Sequence, residues 1–176
     1  RADDPGSLIL NPMIIFLVGF MGSGKSTVGQ RLAGRLGYSF VDMDAWLEGE
    51  HGMTINEIFE KLGEKAFREM ESNLLKEMLS LQDTVISTGG GLPCTGNNMD
   101  LINREGVSIY LRMDPEALLN RLSRGKSRRP LIRHLTRQEL GTFIREKLSE
   151  REPVYLKAHH IVSGLNFKMD ELMEIL

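Results

Sequence analysis

The stretch Met13-Ile-Ile-Phe-Leu-Val18, followed by Gly19-Phe-Met-Gly-Ser-Gly-Lys-Ser26, decides the fold of this chain. The first six residues form a continuous apolar run rich in branched side chains, which predicts a buried strand of a parallel sheet. The next eight residues fit the pattern G-x-x-x-x-G-K-[ST] of a phosphate-binding loop. The alternative is a glycine-rich turn without a ligand. We favour nucleotide binding, because the match lies between a predicted strand and a predicted helix.

The spacing within this loop has a physical reason. Glycines at positions 19, 22 and 24 let the backbone curl, so that successive N–H groups point inward at phosphate oxygens. Lys25 adds a mobile positive charge for the β- and γ-phosphates, and the Ser26 hydroxyl suits Mg²⁺. The helix predicted to begin here points the positive end of its dipole at the same anion.

The composition is that of one soluble globular domain of 176 residues, with 41% hydrophobic residues and a net charge of −2. This charge gives no reason to expect nucleic acid or an anionic membrane as a partner. Cys94 is the single cysteine, which fits a reducing compartment, and we predict a cytoplasmic protein. No apolar run approaches the roughly 20 residues that span a bilayer. We expect residues 1–12 to be a disordered or cloning-derived leader without signal-peptide layout, and residues 13–176 to form the domain.

Strands and helices alternate along the chain, which predicts an α/β fold with a parallel sheet covered on both faces, in three layers. The predicted strands span residues 13–18, 38–41, 84–88, 107–111 and 160–162. The predicted helices span residues 25–36, 45–50, 54–63, 64–81, 98–105, 136–151 and 168–176, and one more begins at Pro115. Two of these helices open with capping boxes, which Thr54 forms with Glu57 and Thr136 forms with Glu139.

In such sheets, ligands bind beyond the carboxyl ends of the strands. Many phosphate-loop enzymes end a neighbouring apolar strand with an Asp for Mg²⁺, but the third predicted strand, Thr84–Thr88, ends in Thr and glycines. Asp42 and Asp44, which follow the second predicted strand, are the nearest carboxylates at a strand end. We predict that Asp42 lies near Mg²⁺, through a water molecule, while Asp44 handles a substrate hydroxyl. The alternative is that one of the two is only a helix N-cap.

Two weaker signals lie nearby in the predicted fold. Arg68 and Glu71 are one helical turn apart, so the glutamate could orient the guanidinium, although such pairs are more often surface ion pairs worth little. Gly89-Gly-Gly91 follows the third predicted strand, where its backbone N–H groups could approach a ligand. Taken alone, the triple glycine is only a flexible turn.

Residues 121–137 carry seven basic side chains with no acidic residue between them. A nucleic-acid patch is one interpretation, but the stretch lacks the aromatic residues that would stack on bases. We instead predict a mobile lid, at about residues 123–136, that closes cations over phosphates and excludes water.

Six segments, taken together, resemble the shikimate kinase family. In chain order they are Gly19-Phe-Met-Gly-Ser-Gly-Lys-Ser-Thr27, Asp42-Met-Asp44, Phe67-Arg-Glu-Met-Glu71, Ser87-Thr-Gly-Gly-Gly91, Arg129-Pro-Leu131 and Arg151-Glu-Pro-Val-Tyr155. The resemblance covers residue 13 to about residue 162. It implies a five-stranded parallel sheet of order 2-3-1-4-5, a substrate region at about residues 42–81, and a monomer that takes ATP and shikimate.

The resemblance also implies a role for individual residues. The residues that would hold shikimate are Asp44, Phe59, Phe67, Arg68, Gly89, Gly90, Gly91 and Arg151. Those that would hold ATP are Gly22, Ser23, Gly24, Lys25, Ser26, Thr27, Arg121, which would lie along the adenine, and Arg129. The cofactor Mg²⁺ would be held by Ser26 and, through water, by Asp42. The catalytic residues would be Lys25, Asp44 and Arg129.

Two other functions remain open from the sequence. A different small-molecule kinase, such as a gluconate kinase, would keep the phosphate loop but has no evident need for both Arg68 and Arg151 beside a triple glycine. A nucleotide-binding or regulatory module without catalysis is the alternative from another class. Modules of this fold that have lost catalysis usually lack the substrate arginines or the aspartate, and this chain has all of them.

Overall fold

The computed structural model describes residues 13–125 and 132–176, so residues 1–12 and 126–131 lie outside it. Five strands are present in the described part: β1 (Ile14–Val18), β2 (Ser39–Asp42), β3 (Thr84–Ser87), β4 (Val107–Arg112) and β5 (His160–Ser163). The α-helices there are α1 (Lys25–Leu36), α2 (Met43–His51), α3 (Ile55–Met78), α4 (Asn98–Glu105), α5 (Pro115–Arg124), α6 (Arg137–Tyr155) and α7 (Met169–Glu174). A short 3₁₀ helix, Leu92–Cys94, follows the triple glycine.

The strands form one sheet of order β2-β3-β1-β4-β5, and every pairing between neighbours is parallel. The predicted α/β fold and strand order are confirmed. β1 is the central strand, and all five of its residues are buried. The loop that follows β1 therefore opens at the middle of the sheet edge, with the ends of β3 and β4 on either side.

The side chains of β1 alternate between two cores, as the pleat of a strand requires. Ile15 and Leu17 pack in the core under α1 and α7. Phe16 and Val18 point to the other face, in the larger core formed with α2 to α6. The sheet is thus covered by helices on both faces, and the predicted three layers are confirmed.

Both predicted capping boxes are confirmed. Thr54 accepts from the backbone N–H of Glu57 at the start of α3, and Thr136 accepts from that of Glu139 at the start of α6. The predicted break near Gly63 is a kink within α3, where Gly63 has a left-handed φ of 83°. Within the described ranges, no helix is both long and apolar enough to cross a membrane.

Several predicted helix boundaries were wrong. α3 ends at Met78 rather than Leu81, and α7 ends at Glu174 rather than Leu176. α2 begins at Met43, two residues earlier than expected, because the Asp42 carboxylate caps its first turn. α6 ends at Tyr155 rather than Arg151 and includes Pro153. Tyr155 is fully buried against the large core, and this packing outweighs the helix-breaking tendency of proline in the last turn.

Candidate active site

The carboxyl ends of the strands surround two adjoining cavities. The first, of about 320 Å³, is called here the loop cavity. It is lined by Met21, Gly22, Gly24, Lys25, Ser26, Thr27, Asp42, Asp44, Ser87, Thr88 and Gly90. The predicted ATP-binding residues of the loop line this cavity except for Ser23, whose side chain is buried beneath the loop.

The second cavity, also of about 320 Å³, is called here the arginine cavity. It is lined by Met21, Asp44, Ile55, Phe59, Glu64, Phe67, Arg68, Glu71, Gly89, Gly90, Gly91, Phe143, Lys147 and Arg151. All eight residues predicted to hold the second substrate line it. Met21, Asp44 and Gly90 line both cavities. Ligands in the two cavities would therefore meet beside the Asp44 carboxylate.

The phosphate-binding loop folds so that its lysine faces the loop cavity. Gly22 has a φ of 79° and Gly24 a φ of 95°, a left-handed backbone that glycine adopts without strain. The Lys25 side chain turns back along the loop, where Nζ donates to the carbonyls of Gly19 at 2.8 Å and Phe20 at 3.0 Å. An ammonium group held at the start of α1 makes this cavity a site for an anion such as phosphate.

Ser26 and Asp42 meet at the floor of the loop cavity. The Ser26 hydroxyl donates to Oδ2 of Asp42, and Oδ1 of Asp42 accepts from the backbone N–H groups of Asp44, at 3.1 Å, and Ala45, at 3.2 Å. Asp42 is thus the N-cap of α2, so the capping alternative holds for Asp42 but not for Asp44. The same carboxylate also faces the cavity.

The donor set of the loop cavity fits Mg²⁺. No cluster of three His, Cys, Asp or Glu side chains suited to a metal occurs among residues 13–125 and 132–176. Mg²⁺ in nucleotide sites does not need such a cluster, because it is usually held by one or two protein oxygens, substrate phosphates and water. The Ser26 hydroxyl and the Asp42 carboxylate provide those oxygens.

Asp44 lies on the boundary between the cavities, and its surroundings change its acidity. Burial raises the pKa of the Asp44 carboxyl above its ordinary value, and the negative charges of Asp42 and Glu48 act in the same direction. Lys25 and Arg68 partly oppose this rise in pKa. A carboxylate with a raised pKa next to a substrate site is a better proton acceptor than one in solvent.

Arg68 is held by Glu71, as predicted. Its Nη1 donates to Oε2 of Glu71 at 2.6 Å, and Glu71 is only 2% exposed, so the alternative of a surface ion pair is wrong. Burial raises the pKa of Glu71 to about 7, even though Arg68 acts to lower it. The guanidinium carbon lies 5.7 Å from the Phe59 ring and 5.2 Å from the Phe67 ring. The arginine is therefore fixed over an aromatic wall of the cavity.

The triple glycine allows charged side chains to approach the backbone closely. A Cβ atom on Gly89 would lie 2.5 Å from Oε1 of Glu71 and 2.8 Å from Oδ1 of Asp44. A Cβ atom on Gly91 would overlap the Arg68 guanidinium. A side chain at Gly89 or Gly91 would therefore displace the charged groups of Glu71, Asp44 or Arg68, which the interpretation as a flexible turn does not account for.

Arg151 lines the same cavity from α6, whereas Arg68 lines it from α3. Its guanidinium carbon lies 5.8 Å from the Phe20 ring, and its Nη1 would be 3.5 Å from a Cβ atom on Gly90. Arg68 and Arg151 therefore line one cavity from two different helices. Two guanidinium groups converging on one space are suited to a carboxylate ligand.

Arg121 lies beside the phosphate-binding loop rather than in either cavity. It donates to the carbonyls of Gly22 and Gly164, both at 3.4 Å. It also lines a separate, open cavity of about 510 Å³ together with Arg124 of the same helix. Arg129, the third predicted catalytic residue, lies outside the described residues, as does the central part of the predicted lid.

Five residues that line the arginine cavity were not predicted from the sequence, namely Met21, Ile55, Glu64, Phe143 and Lys147. Phe143 and Lys147 lie on α6, eight and four residues before Arg151, and this spacing places all three on one helix face. That spacing was the available signal. It would have been informative once Arg151 was assigned to the site, because the other side chains of the same face must enter the same cavity.

Comparison with known proteins shows what this chain is similar to. A model of the family described as shikimate kinase matches residues 21–175. The shikimate kinase of Parabacteroides distasonis is 45% identical over 144 residues, which cover 82% of this chain and 83% of that protein. The crystal structure of shikimate kinase from Bacteroides thetaiotaomicron aligns with a TM-score of 0.88 at 37% identity, covering 93% of this chain and 97% of that one. The shikimate kinase from Acinetobacter baumannii in complex with shikimate aligns with a TM-score of 0.83 at 36% identity, covering 94% and 90% of the two chains.

Proposed function

This chain belongs to the shikimate kinase family, and on that basis we propose that it transfers the γ-phosphoryl group of ATP to the 3-hydroxyl of shikimate. The products are shikimate 3-phosphate and ADP, in the pathway to chorismate and the aromatic amino acids. One observation carries the proposal: the loop cavity and the arginine cavity share Asp44, so an anionic nucleotide and a carboxylate substrate would meet at one carboxylate.

The reaction needs alignment and positive charge more than covalent help from the protein. The substrate hydroxyl oxygen forms a bond to the γ-phosphorus, while the bond from that phosphorus to the bridging oxygen of ADP breaks. Asp44 orients the hydroxyl and accepts its proton. Lys25, held at the loop cavity, stabilises the negative charge of the transferring group.

Shikimate would lie in the arginine cavity with its carboxylate between Arg68 and Arg151. Arg68 is pre-oriented by Glu71, so little side-chain entropy remains to be lost when the carboxylate binds. Phe59 and Phe67, whose ring centroids are 4.6 Å apart, would pack against the substrate ring. The backbone of Gly89, Gly90 and Gly91, which lines this cavity, would form hydrogen bonds with the hydroxyl groups of shikimate.

ATP would lie with its phosphates in the loop cavity, held by Gly22, Ser23, Gly24, Lys25, Ser26 and Thr27. Mg²⁺ would be held by Ser26 and, through water, by Asp42, and it would supply positive charge to the β- and γ-phosphates. Arg121 would lie along the adenine, which suits its place beside Gly22. Arg129, on the proposed lid at about residues 123–136, would reach the phosphoryl group when the lid closes.

The decisive experiment measures ADP release by the purified chain with ATP, Mg²⁺ and a panel of hydroxylated acids that includes shikimate and gluconate. We expect kcat/KM for shikimate to exceed that for gluconate by at least about 100-fold, because the cavity holds a specific arrangement of arginines and backbone donors. Preference for gluconate would favour the other kinase. Tight ATP binding without ADP release on any acid would favour a nucleotide-binding module without catalysis.

A further inference from the structure

A buried tyrosine contacts the triple glycine from the side of the protein core. The Tyr155 hydroxyl donates to the Gly90 carbonyl at 2.5 Å, although the two residues are 65 positions apart. We propose that Tyr155 is a positioning residue, which holds the Gly90 peptide in place relative to Arg151 and so determines the affinity for shikimate. This inference rests on the proposed function, because it assigns shikimate to the arginine cavity.

The peptide geometry explains why one hydroxyl can affect the substrate. The carbonyl of Gly90 and the N–H of Gly91 belong to one peptide plane, and in a trans peptide they point in opposite directions. Because Tyr155 binds the carbonyl from the core side, the N–H of Gly91 is directed away from the tyrosine. Neither glycine has a side chain that could resist rotation of this peptide plane. The hydrogen bond from the Tyr155 hydroxyl to the Gly90 carbonyl therefore restrains the plane.

Tyr155 is itself held rigidly. It is fully buried, and its ring centroid lies 5.1 Å from that of Tyr110 on β4. Burial raises the pKa of the Tyr155 hydroxyl far above its ordinary value, so the group remains a donor at any working pH. Because this donor is rigid, the hydrogen bond fixes the Gly90 backbone relative to the end of α6.

The turn of α6 that carries Tyr155 also carries Arg151, and it is tied to the sheet by a second set of contacts. Glu152 accepts from the Tyr110 hydroxyl at 3.2 Å and from Nε of Arg112 at 2.9 Å. The end of α6 is therefore attached to β4 through Glu152 and to the triple glycine through Tyr155. Two parts of the proposed shikimate site, Arg151 and Gly90, are thereby held at a defined distance from each other by the last turn of α6 and the Tyr155 hydrogen bond.

Tyr155→Phe tests the inference because it removes one oxygen atom and keeps the buried ring. We expect KM for shikimate to rise about 10-fold, because the half-buried Gly90 carbonyl loses its hydrogen bond and the peptide loses this restraint. The kcat value should stay within about threefold, and the Kd for ADP should be unchanged, because Tyr155 does not line the loop cavity. A residue with a purely structural role would lower Tm without separating KM from kcat.

Tyr110→Phe is the matched control. It removes the hydroxyl of the neighbouring ring, whose hydrogen bond goes to Glu152. The ion pair between Arg112 and Glu152 remains in this variant and keeps the end of α6 attached to β4. We expect a similar fall in Tm for both variants, but a KM for shikimate within about twofold of wild type for Tyr110→Phe. Equal KM values for the two variants would overturn the inference, as would a loss of ADP affinity equal to the loss of shikimate affinity.

A replacement that restores a donor gives a second measurement that does not depend on the phenylalanine variant folding. Incorporation of 4-aminophenylalanine at position 155 keeps an N–H donor at the end of the ring and should return KM for shikimate toward the wild-type value. Failure to do so in a folded protein would overturn the inference. The wild-type assay separates this result from the proposed function, because that function fails only if wild type does not phosphorylate shikimate.

Discussion

At the scale of single residues, two carboxylates of the site sit in surroundings that disfavour their charge. Burial is the main reason why the pKa values of Asp44 and Glu71 are raised. The negative charge of Asp44 raises the pKa of Glu71 further. Lys25 and Arg68 supply the opposing positive charges. Such an arrangement costs stability in the free protein and keeps reactive groups near the substrate.

The first prediction concerns Asp44. Asp44→Asn should lower kcat by at least about 100-fold, because the amide cannot accept the hydroxyl proton, while the Kd for ATP should change little. Steady-state kinetics and equilibrium titration with ATP measure the two quantities. Asp100→Asn, at an exposed position on α4, is the control and should behave as wild type. A near-normal rate for Asp44→Asn would remove the residue from its proposed catalytic role.

The second prediction concerns the pH dependence of stability through Glu71. Its pKa is about 7 in the folded protein and 4.5 ordinarily, so between these values the folded state holds a proton that the unfolded state has lost. The free energy of unfolding must then fall as pH rises through this window, by about 3 kcal/mol, and level off above it. Glu71→Gln should remove this part of the slope.

Urea unfolding between pH 5 and pH 8 provides the measurement for Glu71. The stability of Glu71→Gln relative to wild type should rise across this range, while Glu69→Gln, exposed on the same helix, should follow the wild-type curve. Parallel curves for wild type and Glu71→Gln would contradict the prediction. Asp44 contributes a slope of the same sign, because its pKa is also raised, and its contribution remains in both proteins.

At the scale of elements, the two helices that carry the substrate arginines both begin with capping boxes. Thr54 fixes the start of α3, which carries Arg68, and Thr136 fixes the start of α6, which carries Arg151. A capped start reduces fraying, so each arginine is presented from a helix with a defined position. The triple glycine between these helices has no regular structure of its own and takes its geometry from the side chains around it.

The third prediction tests that geometry with Gly91→Ala. Gly91 has φ −87° and ψ −20°, a backbone that alanine adopts freely, and the atoms nearest to the new methyl group are those of the Arg68 guanidinium. Arg68 should move away from Glu71, and KM for shikimate should rise about 10-fold or more, with the Kd for ADP unchanged. Steady-state kinetics with shikimate and titration with ADP test this expectation.

Gly49→Ala is the matched control for Gly91→Ala. Gly49 lies on α2, next to the site, and a Cβ atom there would meet nothing within 4 Å. This variant should be as active as wild type and slightly more stable, because alanine is the better helix former. An unchanged KM for shikimate in Gly91→Ala would show that Arg68 tolerates displacement and is not placed by the triple glycine.

At the scale of the whole molecule, the central position of β1 brings the two ligands together. Its loop forms the nucleotide side, and the ends of β2 and β3 carry Asp44 and the triple glycine to the substrate side. Each ligand should stabilise the folded protein on its own, by about 2.7 kcal/mol at 100 times its Kd. The two cavities can thus be examined separately through thermal stability.

The fourth prediction compares the effects of shikimate and of ADP on the Tm of Arg68→Lys. An ammonium group cannot replace the bidentate guanidinium, so shikimate should lose most of its effect on Tm, whereas ADP should keep its own. Arg104→Lys, at an exposed pair with Glu105, is the control and should respond to both ligands as wild type does. Equal loss of both effects in Arg68→Lys would mean that Arg68 supports the fold as a whole.

The sequence alone determined much of the local structure of this protein. The apolar run of β1, the glycine spacing of its loop and the two capping boxes are short-range signals, because a few neighbouring residues decide the backbone there. The orientation of Arg68 by Glu71 was predictable for the same reason, since the two residues lie one helical turn apart. The strand order came from the resemblance of six separated segments to a known family.

Only the tertiary structure decided how these parts meet. The contact of Tyr155 with Gly90, the entry of Lys147 into the arginine cavity and the sharing of Asp44 by two cavities join residues far apart in the chain. The raised pKa of Glu71 depends on burial, which no local pattern of charges reveals, because the same pair on a surface would lower it. Distances across the fold and the loss of solvent arise only when the sheet and its helices are packed.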